Sequence, residues 1–304
     1  MTSTGVHWTF VGAGNMSASL VGGLLAAGEQ TSAITTVDPN AAARETIGER
    51  FSVATTATFD AAANRSDSDH STEAHCIVIA VKPNIVEQAC RSVSELIPSS
   101  SPPLIVSVAA GVRAEALGTW LGDAIPIVRC MPNTPALLGL GASGLFANKR
   151  CSKTHRAIAE RLLSAAGTVH WVEEETLLDA VTATSGSGPA YFFYLIEQMS
   201  HAGQALGLDA DTARELAIDT AFGAASMARA REYPPDELRR RVTSKGGTTA
   251  AALAVFDDAG LPSIVHAAMR AAHDRAVSLG DQFSPNEVLP AEERPSDERP
   301  TQED

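Results

Sequence analysis

The chain has few aromatic residues, 5% of its 304 positions, and four cysteines. These are Cys76, Cys90, Cys130 and Cys151; they are widely spaced, form no CxxC and lie near no histidine at zinc-ligand spacing, so no metal site is expected. Cys76 opens an apolar stretch and Cys130 closes one, which predicts buried thiols in a reducing compartment. No apolar run approaches the ~20 residues of a membrane span. Met1 to Gly5 lacks a basic stretch with an apolar signal core, and a cytoplasmic location is expected. Positive charge is also scarce: 23 Lys and Arg face 36 Asp and Glu. The formal charge of −13 argues against a nucleic-acid or anionic membrane surface. From Asp281 onward eight acids face two arginines, so the body of the chain is only mildly acidic.

What the chain does have is glycine, alanine and alternation. With 44% hydrophobic residues it can bury a full core, and two domains are expected. Val6 to Val11 reads as an apolar strand and runs into "GAGNMS", residues Gly12, Ala13, Gly14, Asn15, Met16 and Ser17. Leu20, Val21, Leu24 and Leu25 then recur at helical spacing, and a second strand, "AITTVD", ends in Asp38. Strand, glycine turn, helix and a distal acid are the parts of a dinucleotide site. Gly12 would make the sharp turn and Gly14 would admit the pyrophosphate, while Ser17 is small enough for close packing and Asp38 reaches the adenosine ribose. The phosphates would lie on the free N–H groups of the helix N-terminus.

Alternation continues beyond this unit. A helix is predicted over residues 40–50, a short strand at "FSVA", and a polar surface insertion at "ANRSDSDHSTEAH". "CIVIAV" and "LIVSVAAG" read as strands, with helices over 85–96 and 114–121, and "AIPIVRC" as a further strand. Strands apolar on both faces point to a parallel sheet covered by helices. This predicts a doubly wound α/β domain over residues 1–172. After Thr176 no strand pattern is read, and helices are predicted over 191–206, 210–232 and 250–279. Their small residues suit close helix contact, so residues 173–281 are expected to form an all-α dimerisation domain. Residues 282–304 are Pro-rich and charged, and are read as a disordered acidic tail.

Several short segments sit where ligands of open α/β sheets collect. Ala80, Val81, Lys82 and Pro83 follow one strand, "VAAGV" with Ala109 follows another, and "RCMPNTP" with Met131, Pro132 and Asn133 follows a third. "TSGSGPAY" reads as a link between helices, and "VTSKGGTT" as a turn whose N–H groups form a nest for a small carboxylate. The order of "FVGAGNMS", "AVKP", "RCMPNTPALLGLGASG", "DAVTATSGSGPAY" and "VTSKGGTTAAAL" resembles that of the pyrroline-5-carboxylate reductase family, over residues 6 to about 279.

The resemblance implies a Rossmann domain, a helical dimerisation domain, and higher assembly of dimers into a larger ring. It implies NAD(P)H-dependent reduction of 1-pyrroline-5-carboxylate to L-proline, the last step of proline synthesis. Gly12 to Ser17 and Ala80 to Pro83 would line the cofactor, with Ala109 and Met131 to Pro135 near its nicotinamide end. Ser244, Gly246, Gly247, Thr248 and Thr249 fall on the substrate loop, which in the family meets the partner subunit's cofactor. Lys245 stands where many members have proline.

A protonated cyclic imine is already electrophilic, so the protein has to position the ring rather than supply a nucleophile or metal. Thr249 is the hydroxyl assigned to the ring nitrogen. Asp38 favours NADH, whereas Arg44, Asn64 in a nearby loop and the family's habit favour NADPH; use of both is expected. Another imine or hydroxy-acid reductase of the same architecture, or a non-catalytic dinucleotide sensor, is the alternative. The first would want a lysine or histidine acid, for which Lys245 is a poor candidate, and the second has no need of a second anion nest.

Overall fold

A computed structural model describes residues 5–60, 62, 74–98 and 101–283. Most of the insertion at 63–75, with Asn64, and the tail from 284 lie outside them. The first half alternates as read: β1 (Val6–Val11), α1 (Asn15–Ala26), β2 (Ile34–Val37), α2 (Ala41–Phe51), β3 (Ala54–Thr56), β4 (Ala74–Ile79), α3 (Val86–Ser94), β5 (Leu104–Ser107), α4 (Ala114–Leu121) and β6 (Ile127–Met131). The short strand lies later than "FSVA", because Phe51 ends α2 and Ser52 turns into the left-handed region at φ 56°. Two strands and a helix were not legible: β7 (Gly141–Ala147), α5 (Lys153–Ser164) and β8 (Gly167–Trp171).

All eight strands among the described residues form one sheet in the order β3-β2-β1-β4-β5-β6-β7-β8. The neighbours from β3 to β6 are parallel, β7 runs antiparallel to β6, and β8 is parallel to β7. Alternate strand residues feed two cores. Trp8, Phe10, Cys76, Val78, Val106 and Val128 pack with Leu20 and Leu24 of α1 and Ile158 and Leu162 of α5. On the opposite face Ile77, Ile79, Ile105 and Ile127 pack with Val86 and Val93 of α3 and Leu117 and Leu121 of α4. Burial on both faces is what the continuous apolar runs required.

The second half is helical: α6 (Leu177–Val181), α7 (Gly188–Ala205), α8 (Ala210–Arg229), α9 (Pro235–Arg241), α10 (Thr248–Asp258) and α11 (Leu261–Asp281). The helix predicted over 250–279 is two helices, broken where Gly260 takes φ +74°. "TSGSGPAY" is not an open link either. Thr182–Gly186 is a π-helical stretch that carries α6 almost directly into α7. Its hydroxyls bond back one turn, Thr182 Oγ1 to Leu178 O at 2.8 Å and Ser185 Oγ to Val181 O at 3.1 Å, which helps widen the helix there. α7 and α8 pack on each other and leave Phe192, Phe193, Tyr194, Phe222 and Met227 largely exposed.

Candidate active site

Parallel pairing brings the C-terminal ends of β1, β4, β5 and β6 to one edge of the sheet. There Gly12 donates to Val37 O at 2.7 Å and holds φ +107°, and a Cβ at this position would lie 2.6 Å from Ala80 O. Gly12 is therefore glycine for backbone reasons. Gly14 differs: its φ of −81° suits any residue, and a Cβ there would meet nothing within 4 Å. It borders open space directly ahead of α1, whose N-terminus carries no side-chain cap. First-turn N–H groups facing a small, open residue fit a pyrophosphate. Asn15 and Met16 begin that turn, while Ser17 is buried and braces it from behind, donating to Gly12 O at 2.6 Å.

Asp38 is more engaged than its place after β2 suggested. Its Oδ2 accepts from Ala13 N at 2.8 Å and its Oδ1 from Asn40 N at 2.8 Å. The carboxylate thus fixes the glycine turn and keeps one further lone pair on each oxygen for a ribose hydroxyl. Arg44 folds back onto Asp38 O at 2.7 Å and Pro39 O at 3.0 Å.

Along the same edge, Ala80 follows β4 and donates to Val11 O at 2.8 Å. Val81 and the exposed Lys82 lead into a short 3₁₀ turn beginning at Pro83. Ala109 is buried beyond β5. Met131 ends β6, Pro132 is buried, and the Asn133 side chain is turned inward: Nδ2 donates to Ser185 O at 3.0 Å and Oδ1 accepts from Ala142 N at 2.9 Å. The amide thus makes two hydrogen bonds inside the protein, which fix the loop.

A second glycine turn ahead of an uncapped helix lies in the helical half. Gly247 N donates to Ser244 O at 3.0 Å, Gly246 turns at φ +73°, and Gly247 precedes α10 without a side-chain cap. The N–H groups of Thr248 and Thr249 open that helix; Thr248 is exposed and Thr249 half-buried. Lys245 is exposed beside them.

The cysteines are held as thiols. All four are free, and burial pushes the Cys90 and Cys130 thiols up to about 12 and that of Cys151 to about 11; Cys76 is raised as well. Among the described residues no group of His, Cys, Asp and Glu is arranged to hold a metal ion, and no helix is long and apolar enough to cross a membrane. Sequence reasoning passed over the pair of buried Arg129 and partly buried Glu175, in contact at 2.5 Å. The signal for it was an arginine inside the apolar strand "AIPIVRC".

A dinucleotide turn at the edge of a Rossmann-type sheet, followed by a helical dimerisation unit, defines a nicotinamide-dependent oxidoreductase. Residues 8–111 match the family described as NADP oxidoreductase coenzyme F420-dependent, and residues 175–279 match pyrroline-5-carboxylate reductase dimerisation. The chain belongs to the pyrroline-5-carboxylate reductase family. It is 46% identical to the pyrroline-5-carboxylate reductase of Pseudomonas aeruginosa, across 90% of this chain and 96% of that one. It is 40% identical to the Haemophilus influenzae reductase, across 90% and 97%. The solved reductase of Coxiella burnetii superposes with a TM-score of 0.83 at 37% identity, covering 90% of this chain and 98% of the other. The Plasmodium falciparum enzyme, solved with NADP bound, gives 0.77 at 26% identity, covering 91% and 99%.

Proposed function

We propose that this protein reduces 1-pyrroline-5-carboxylate to L-proline with NADPH or NADH. The observation that carries the reading is the pairing of two uncapped helix N-termini, each behind a glycine turn: α1 for the pyrophosphate and α10 for the substrate carboxylate. The reduced nicotinamide supplies a hydride when bound. It would lie with its phosphates over Gly14 and its reactive ring toward Ala109 and Met131.

The protein's part is placement. The Ser244–Thr249 turn holds the carboxylate, which leaves the imine carbon of the ring to face the hydride donor, while Thr249 Oγ1 meets the ring nitrogen. Hydride adds to the imine carbon, C2 of the pyrroline ring and C5 of the proline product, the C=N π pair moves to nitrogen, and a proton completes the secondary amine. Because Ser244, Lys245 and Gly246 are exposed and α10 packs mainly on α11, we assign this loop, as the family resemblance implies, to the cofactor site of a partner subunit. The exposed aromatic face of α7 and α8 is then the surface a second copy covers, and we propose a homodimer, with assembly of dimers into a ring as the larger state.

Purified protein mixed with synthetic 1-pyrroline-5-carboxylate should consume NADPH and NADH with equimolar formation of proline. Cofactor binding without proline formation would leave the dinucleotide sensor. Thr249→Ala should lower kcat by about 5- to 150-fold, the equivalent of ~1–3 kcal/mol for one hydrogen bond. Its cofactor affinity should stay near that of the wild type.

A further inference from the structure

Arg129, Met131 and Asn133 alternate along β6 and its extension, so they point to one side of the sheet. Each of them meets the stretch of chain from 175 to 186. Arg129 Nη1 donates to Glu175 Oε1 at 2.5 Å. A Cβ at Gly186 would lie 2.5 Å from Met131 Cε, so Met131 packs directly on that backbone. Asn133 Nδ2 donates to Ser185 O. The loop that follows β6 is thus laid against the first turns of the helical half rather than held by the sheet alone.

Glu175 does more than neutralise Arg129. The same Oε1 accepts from Ala114 N at 2.6 Å, the first residue of α4 and the end of the loop that carries Ala109. One carboxylate oxygen therefore ties together both loops assigned to the nicotinamide end, the one after β5 and the one after β6. Arg129 is only 6% exposed. A pair of buried Arg129 and partly buried Glu175 recovers little net stability against its desolvation, whereas a stranded Arg129 is costly, so its chief consequence is to enforce one arrangement. Arg113 strengthens the same seam, lying 3.7 Å from Asp179 and 3.6 Å from Asp281.

We propose that Arg129 and Glu175 are positioning residues that set the nicotinamide-side loops from the helical half, without touching the cofactor. This rests on the reading that a nicotinamide dinucleotide lies across the ends of β1, β4, β5 and β6. It separates the two ends of that ligand. The adenosine end depends on Gly12, Gly14 and Asp38, which the pair does not reach, and the nicotinamide end depends on the pair.

The test compares two probes on the intact protein: NADPH, followed by nicotinamide fluorescence, and 2′-phospho-ADP-ribose, which lacks the nicotinamide, followed by competition. Glu175→Gln keeps the side chain's shape and an acceptor for Ala114 N. The double variant Arg129→Met/Glu175→Met fills the seam without leaving a charge stranded. In either variant, NADPH should bind about tenfold more weakly while 2′-phospho-ADP-ribose stays within about twofold of wild type. Unchanged NADPH binding in the folded variants, or equal loss for both probes, would overturn the proposal; if one variant does not fold, the other decides. The comparison needs no turnover, so a wild-type protein that binds NADPH but makes no proline would count against the proposed reaction and not against this pair.

Discussion

A methyl group added at Gly12 would press on Ala80 O at 2.6 Å in a backbone conformation of φ +107°, whereas one at Gly14 would meet no atom within 4 Å. The two glycines of the turn therefore fail in different ways. Gly12→Ala should destabilise the fold by about 1–3 kcal/mol, read as a lowered Tm. Gly14→Val should keep its Tm and lose cofactor affinity, because the branched side chain takes the space of the pyrophosphate. A Gly14→Val protein that still binds NAD(P)H would place the phosphates elsewhere. His75 offers a pH test away from the site. Its Nε2 lies 2.9 Å from Thr9 Oγ1, and burial, reinforced by neighbouring His7, lowers its pKa from 6.5 to about 4. The folded protein thus holds this imidazole neutral while the unfolded chain protonates it. Its contribution is complete above pH 6.5 and is lost as pH falls toward 4, by an amount on the order of 2–3 kcal/mol. Denaturant titrations across that window should show the decline, and His75→Gln should flatten it.

Elements differ in how openly the sequence announces them. β1 is bracketed by Gly5 and Gly12, β5 follows Pro102 and Pro103, and β4 and β5 are mostly apolar on both faces, so these runs need no tertiary information. β7 and β8 could not be recognised that way. "GASGLFA" and "GTVHW" owe their strand state to neighbours: Gly144 makes room for Val181 of α6, and Gly141 pairs closely with Gly167. The π-helical turn was hidden for a related reason, since serine, glycine and proline signal a loop until Met131 and Asn133 come to rest against it. The candidate site was legible as segments, while Asp38's hold on Ala13 and the turning inward of Asn133 depend on distances between elements. Gly186→Ala probes this packing. The added Cβ meets the mobile end of Met131 at 2.5 Å, so the variant should fold yet displace that thioether, raising the KM for NADPH severalfold with little change in Tm. An unchanged KM would show that Met131 has no bearing on the cofactor.

The molecule as a whole is divided between a sheet half with complete cores and a helical half with much of its apolar surface uncovered. Phe193 is 65% and Phe222 68% exposed on the paired helices α7 and α8. Apolar patches of this kind mark association surfaces. Phe193→Glu/Phe222→Glu should yield a folded monomer by light scattering, inactive because its α10 loop has no partner's cofactor to meet. An active monomer would overturn the shared site. The central claim concerns the path of a single hydride, and isotope labelling follows it most directly. NADPH carrying deuterium in place of both hydrogens at nicotinamide C4 is incubated with the protein and 1-pyrroline-5-carboxylate, and the product is read by mass and NMR. The account predicts L-proline with one deuterium, located at C5, for each NADPH consumed; absence of proline, or proline without deuterium at C5, would contradict it.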